Sequence, residues 1–300
     1  MKQRLEREVD EMSREEKTEM QEDKQTVKKG AGTIDWIRMI LGIICICIAA
    51  GCIIYLGSYF LKSKHSQDRV KELKQIVSDV KTDDTEESGD MQEQRIEYEK
   101  INGRLVQKKF AELYRQNPDF IGWLTIPGTK VDYPVMQHEG DNEYYIHRNF
   151  EEEWDGSGLP FMDLRSNYML PTDNLLIYGH NMKTGTMFAG ILKYDSEEYY
   201  QTHKTLTFDT LDADGEYEVI AAFYSQIYPE EDTEHFKYYE FFDAGSEEEF
   251  NAYVEQVQAL TPYKIDTEVS YGDTLLTLST CAYNTENGRF VLVAKQILTD

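Results

Sequence analysis

The chain has 300 residues and carries 56 acidic against 31 basic side chains, a formal net charge of -25 at pH 7. That length suits one or two domains and is enough for a real core. The acidity excludes nucleic acid and anionic lipid headgroups as partners of the folded part, because both require a basic surface.

Residues 1–38 are dense in Glu, Lys, Arg and Gln and read as a charged tail. Residues 39–61, "MILGIICICIAAGCIIYLGSYFL", then run for 23 positions without a charge. At about 1.5 Å per helical residue this is long enough to cross a hydrocarbon core of about 30 Å. A cleaved signal peptide would lie nearer the terminus and have a shorter apolar core. The run therefore reads as an uncleaved single-pass anchor that contacts the lipid bilayer.

Four Lys/Arg lie in residues 20–38 and six in 62–81. That count leans against an exported C-terminal part, although long domains translocate largely regardless of it. Three of the four cysteines, Cys45, Cys47 and Cys52, fall inside the apolar run, and only Cys281 remains beyond it. A domain of that kind is not stapled by disulfides. Residues 62–95, with "DVKTDDTEESGDMQEQ", read as a polar juxtamembrane linker.

The folded domain is predicted over residues 96–300. In "RLVQKKFAELYRQNPDF", Val106, Phe110, Leu113 and Tyr114 fall at helical spacing, and the helix should stop before Pro118. Strands are predicted in "TKVDYPVMQ" and "NLLIYGH", and "KTLTFDTL" and "YEVIAAFYSQI" flank the hairpin signal "DADG". "DTLLTLSTC" and "RFVLVAKQIL" close the chain. Two helices interrupt the strands. One is "TMFAGILKY"; the other is "SEEEFNAYVEQVQAL", where Ser246 and Glu249 form a capping box and Phe250, Tyr253, Val254 and Val257 share a face. Many short strands with few helices predict a mainly β fold, a closed barrel or a sandwich.

Cys281 ends the strand "DTLLTLSTC". Alternation puts Leu275, Thr277, Ser279 and Cys281 on one face, and Leu276, Leu278 and Thr280 on the other. Arg289 begins the next strand, so it sits at the same end of a hairpin and can face Cys281. The thiol could be a packing residue, half of an intermolecular disulfide, or a nucleophile. A nucleophilic thiol needs a base and a proton donor, which histidine supplies near neutral pH. His65, His138, His147, His203 and His235 fall in polar, exposed-looking segments. His180 differs: it directly follows the strand "NLLIY", in the turn "YGHNM".

"TLSTC", the upstream "YGHNM" and the Arg of "NGRFVLVAK" together resemble the sortases, membrane-anchored cysteine transpeptidases of Gram-positive bacteria. "GWLTIPGTKVDYPVMQ", "DNEYYIHRNF", "GLPFMDLRSN", and the helix within 231–262 resemble the class B subgroup. The resemblance implies a closed sortase-type β-barrel with N-terminal helices and a helix inserted before the penultimate strand. It also implies a cytoplasmic N-terminus, an extracellular catalytic domain, and a Cys281 nucleophile with His180 as general acid/base. Arg289 would stabilise the oxyanion or the substrate backbone.

The implied reaction cleaves a C-terminal sorting signal after Thr, through a thioacyl-enzyme, and passes a secreted protein to a peptidoglycan amine. Ser279 and Thr280 are candidates for orienting substrate or plain strand residues. Asn181 reads as a turn residue that could also touch substrate. No cofactor is predicted, and no Cys/His cluster has metal-ligand spacing. Three alternatives stay open: a sortase that polymerises pili, a cysteine peptidase that only hydrolyses, and a silent anchored module that binds wall peptides.

Overall fold

The computed structural model describes residues 2–86 and 96–298. They belong to two compact units, residues 1–62 and 63–300. Helix α1 runs over Lys2–Glu86. Among the described residues it is the one helix long and apolar enough to cross a membrane. In the first unit its apolar side chains, including Ile46, Ile53, Ile54 and Leu61, are exposed.

The second unit begins inside the segment that reads as a linker. Residues 63–80 are helical, and Leu73 is fully buried beside Phe110, Leu113 and Phe120, with Val70, Ile76 and Val77 alongside. These apolar residues recur three and four apart and so share one helix face. The linker reading fails over this stretch because the charges between them dominate the composition. Residues 87–95 of that reading lie outside the described residues.

Strands β1 (Tyr98–Ile101) and β2 (Arg104–Gln107) form a hairpin. Its two turn residues, Asn102 and Gly103, have φ of 49° and 89°, the positive values that a two-residue type I′ turn needs. Val106 is therefore on a strand, not on the helix its spacing suggested. Helix α2 (Ala111–Gln116) follows and ends before Pro118 as predicted.

Eight further strands close into a barrel. They are β3 (Phe120–Thr125), β4 (Asp132–Met136), β5 (Phe161–Met162), β6 (Asn174–Tyr178), β7 (Thr205–Thr210), β8 (Glu216–Gln226), β9 (Leu275–Cys281) and β10 (Gly288–Ile297). Around the barrel the order is β10-β8-β7-β3-β4-β5-β6-β9. The predicted helix at "TMFAGILKY" is a 3-10 stretch, Phe188–Asp195, followed by α3 (Glu197–Thr202). Helix α4 (Glu247–Leu260) precedes the penultimate strand, with the Ser246 side chain accepting from Glu249 N at its start.

The barrel wall is buried on both sides near the end of the chain. Leu276, Leu278, Phe290 and Leu292 join the interior core. Leu275, Val291 and Val293 point outward and are covered by Phe250, Tyr253 and Val257 of α4, with Tyr238 and Phe241. The alternation along β9 is thus as predicted, and it places Cys281 on the outer wall.

If residues 63–80 are part of the domain, Leu73→Ala will lower the unfolding free energy of the full-length protein in detergent by about 2–5 kcal/mol. Lys71→Ala, on the exposed side, will stay within about 0.5 kcal/mol of the parent. Denaturant titration checks this; equal effects would mean that the helix is not docked.

Candidate active site

Cys281 and Arg289 are direct partners across the antiparallel β9–β10 pair. Directly opposed side chains on one face have Cβ atoms about 4.5–5.5 Å apart. The hairpin end is closed by Ala282 N donating to Gly288 O at 2.9 Å. A Cβ on residue 288 would lie 2.5 Å from the Ala282 carbonyl oxygen, so only glycine allows this closure.

Both side chains are half-buried. The Arg289 Nη1 donates to the carbonyls of Asn287 at 3.2 Å and Gly288 at 3.0 Å, which steadies the guanidinium from behind. These bonds do not use Nε or Nη2. Among the described residues no carboxylate pairs with it, despite the acidity of the chain.

His180 reaches the same place from the other neighbour of β9. Strand β6 runs parallel to β9, with Tyr178 opposite Ser279. Continuing that register by two residues sets His180 beside Cys281. Three bonds hold the continuation beyond the ladder. Gly179 N donates to Ser279 O at 3.1 Å, Thr280 Oγ1 to Gly179 O at 2.6 Å, and Asn181 Nδ2 to Cys281 O at 2.9 Å. Gly179 is needed here, since a Cβ would lie 2.7 Å from the Phe188 ring.

The imidazole is oriented by backbone. His180 Nε2 lies 2.8 Å from the Ile146 carbonyl, to which it must donate. In the neutral ring Nδ1 is then the nitrogen left to take up a proton. Ile146 belongs to a 3-10 turn over Tyr144–His147, and the His147 ring stacks on His180 with centroids 5.3 Å apart.

Burial pushes the His180 pKa below its ordinary value, and the nearby His147 adds to that. The Ile146 carbonyl and Asp155 oppose the shift without reversing it. At neutral pH the ring therefore rests uncharged, ready to accept the proton of a thiol.

The remaining sequence candidates brace this arrangement. The Thr280 and Asn181 side chains make the bonds just described. Ser279 is buried, with Oγ 2.6 Å from the Tyr238 hydroxyl. Burial raises the Tyr238 pKa to about 12, against a lowering by its Ser279 bond and by the Arg289 charge. Tyr238 thus sits beneath the Cys281–Arg289 pair.

Sequence reasoning missed Tyr238, Ile146 and the stacking of His147. Ile146 acts through a carbonyl that any residue carries, and Tyr238 opens a 3-10 turn, Tyr238–Glu240, too short to show periodicity. His147 is exposed, as its polar context suggested, yet it still covers His180. A thiol, a neutral imidazole and a guanidinium on adjacent strands can together carry out nucleophilic acyl transfer.

Comparison with known proteins agrees with this chemistry. The Sortase domain family matches residues 124–297. Sortase B of Listeria monocytogenes is 34% identical over 199 residues, which is 66% of this chain and 77% of that protein. Sortase B of Staphylococcus aureus is 28% identical over 217 residues, 68% of this chain and 85% of the other.

Among solved structures, sortase B from B. anthracis in complex with AAEK1 superposes with a TM-score of 0.64 at 30% identity. It covers 80% of this chain and all of that one (100%). The Staphylococcus aureus sortase B–substrate complex gives a TM-score of 0.66 at 25% identity, with the same coverage of 80% and 100%. The chain belongs to the sortase family of cysteine transpeptidases. Within that family it is a class B member.

The lowered His180 pKa can be read directly. With carbon-labelled histidine in Cys281→Ala protein, the His180 ring will titrate below about 6.5 by NMR. His147→Ala will move the midpoint up, since it removes a like charge. Because the folded state binds its proton later, this group's contribution to stability is complete above about 6.5 and is lost as pH falls. A midpoint at or above 6.5 would contradict the site's electrostatics.

Proposed function

We propose that Cys281, His180 and Arg289 are the catalytic set of a membrane-anchored enzyme that joins secreted proteins to the cell wall. It cleaves a C-terminal sorting signal after Thr and transfers the new carboxyl end to an amine of peptidoglycan. The observation that carries this reading is that Cys281 faces Arg289 across β9 and β10, while the backbone just past the end of β6, which carries His180, is tied to Ser279 and Cys281. The sortase B relatives, one of them solved as a substrate complex, support it.

The Cys281 sulfur attacks the Thr carbonyl carbon while its proton passes to His180 Nδ1. Arg289 donates hydrogen bonds to the oxygen as negative charge develops on it; its fixed charge does this without a proton transfer. The tetrahedral intermediate collapses by breaking the C–N bond, and the imidazolium gives its proton to the departing amine. The thioacyl-enzyme then meets the acceptor. His180 takes a proton from the incoming amine as nitrogen attacks the thioester carbon. The C–S bond breaks, and the proton returns to sulfur.

Residues 39–61 serve in this reading as the bilayer anchor. The charged residues 1–38 lie in the cytoplasm and residues 96–300 work outside. The uncharged run of 23 residues supports the anchor, and membership of the sortase family supports the direction, against the mild lean of the flanking basic residues.

The test is a ligation assay with full-length protein in detergent. It uses NPxTN-like and xPxTG-like signal peptides, with diaminopimelate or a lysine-bearing peptide as acceptor. Amine-dependent product is expected with at least one pair. Cys281→Ala will abolish it, His180→Ala will slow it by about 10²–10⁴, and Arg289→Ala by about 10²–10³. Arg289→Lys will recover only part, because a single ammonium cannot reproduce the planar fork. Hydrolysis alone with every acceptor would make this a peptidase, and product formed only on the lysine peptide would favour subunit polymerisation. Unimpaired turnover in the variants would reject the catalytic set.

A further inference from the structure

The catalytic histidine owes its position to two supports, and both are touched by the helix that leads into the domain. The first support is the turn that follows His180. It closes on itself through the Asn181–Met187 bridge and through Phe188 N donating to His180 O at 2.9 Å. Met187 holds an unfavourable φ of 54° for a side-chain-bearing residue. Its N–H donates to the Tyr133 hydroxyl at 3.1 Å, and the same hydroxyl accepts from Gln67 Nε2 at 3.4 Å.

The second support is the Ile146 carbonyl. The turn that carries it continues into a tight loop, closed by Asn149 N to Glu153 O at 2.9 Å and Asp155 N to His147 O at 2.9 Å. Glu151 at the tip of that loop pairs with Arg69 Nε. The same guanidinium also donates to Gln116 Oε1 of α2 at 3.2 Å, so Arg69 ties the loop to a fixed part of the domain.

Gln67 and Arg69 lie two residues apart on α1, and between them and Leu73 the side chain of Val70 packs against both the interior core and the neighbouring cluster. We propose that residues 63–80 are a positioning element of the active site. Through Gln67–Tyr133–Met187 and Arg69–Glu151 they hold both supports of His180. This rests on the reading of His180 as the general acid/base.

A helix that merely added stability would not need to meet these two loops. Nor would a half-exposed ion pair such as Arg69–Glu151 add much stability. Its use is geometric. Small displacements of a reacting group from its productive geometry can cost large factors in rate.

The test uses full-length protein in detergent, with signal peptide and acceptor amine as substrates. In Gln67→Ala/Arg69→Ala, kcat will fall about tenfold or more while KM for the peptide stays at the parent value. The His180 ring resonance will shift or broaden, and the thermal midpoint will stay near the parent's. Tyr133→Phe, which keeps the ring and loses the hydroxyl, will shift the same resonance. Arg69→Glu will lower kcat, and adding Glu151→Arg will restore it.

A parent-like kcat and His180 resonance in the double variant would overturn the proposal. So would a loss of kcat that follows the thermal midpoint, or one that the charge swap leaves uncorrected. Full activity of His180→Ala would instead refute the catalytic reading, with the His180 resonance of the parent and the helix variants still reporting whether the helix positions the ring.

Discussion

The register between β6 and β9 is the constraint on which the site depends. These strands are parallel and far apart in sequence, so no short turn sets their pairing. The pairing is set by burial on both faces of the wall. On β9, Leu276 and Leu278 must enter the interior core, while Leu275 must lie under α4. A slip of one residue would exchange the faces, drive Cys281 inward and expose leucines. With the observed register, Tyr178 meets Ser279; two residues further on lie Cys281, the last residue of β9, and His180, just past the end of β6. Antiparallel pairing then adds Arg289 on the other side.

The second requirement is electrostatic. In a chain with a net charge of -25, an arginine facing solvent would be expected to collect a carboxylate. No such carboxylate is found among the described residues, and Asp155, whose charge acts on His180, accepts from Ser157 N. Among the described residues the Arg289 guanidinium bonds to backbone carbonyls, so its charge is directed to whatever binds at the thiol. His180 is handled in the opposite way. Burial and His147 favour the neutral ring, and the Ile146 carbonyl fixes which nitrogen keeps its hydrogen. One cation stays charged and the other group stays uncharged until a proton is offered.

Much of this was legible in the sequence where a local rule decided the outcome. Alternation along "DTLLTLSTC" put Cys281 on the right face, and the hairpin brought Arg289 opposite. The Ser246 cap appears as predicted. Other features escaped because two signals competed. "NG" at residues 102–103 marks a hairpin, yet the apolar spacing that follows imitates a helix. In residues 63–80 the docking face is a few apolar side chains among many charges, so composition outweighed pattern. The orienting Ile146 carbonyl and the Tyr238–Ser279 bond could not be read at all. Both depend on tertiary approach between segments that carry no motif.

The most direct measurement is the covalent intermediate itself. Full-length protein mixed with a cleavable signal peptide, without acceptor amine, would be quenched in acid and examined by intact-mass and fragment mass spectrometry. The account predicts a gain equal to the acyl portion ending in Thr, located on Cys281 and removed by adding amine. Product formation with no such adduct, or with the adduct on Cys45, Cys47 or Cys52, would contradict it.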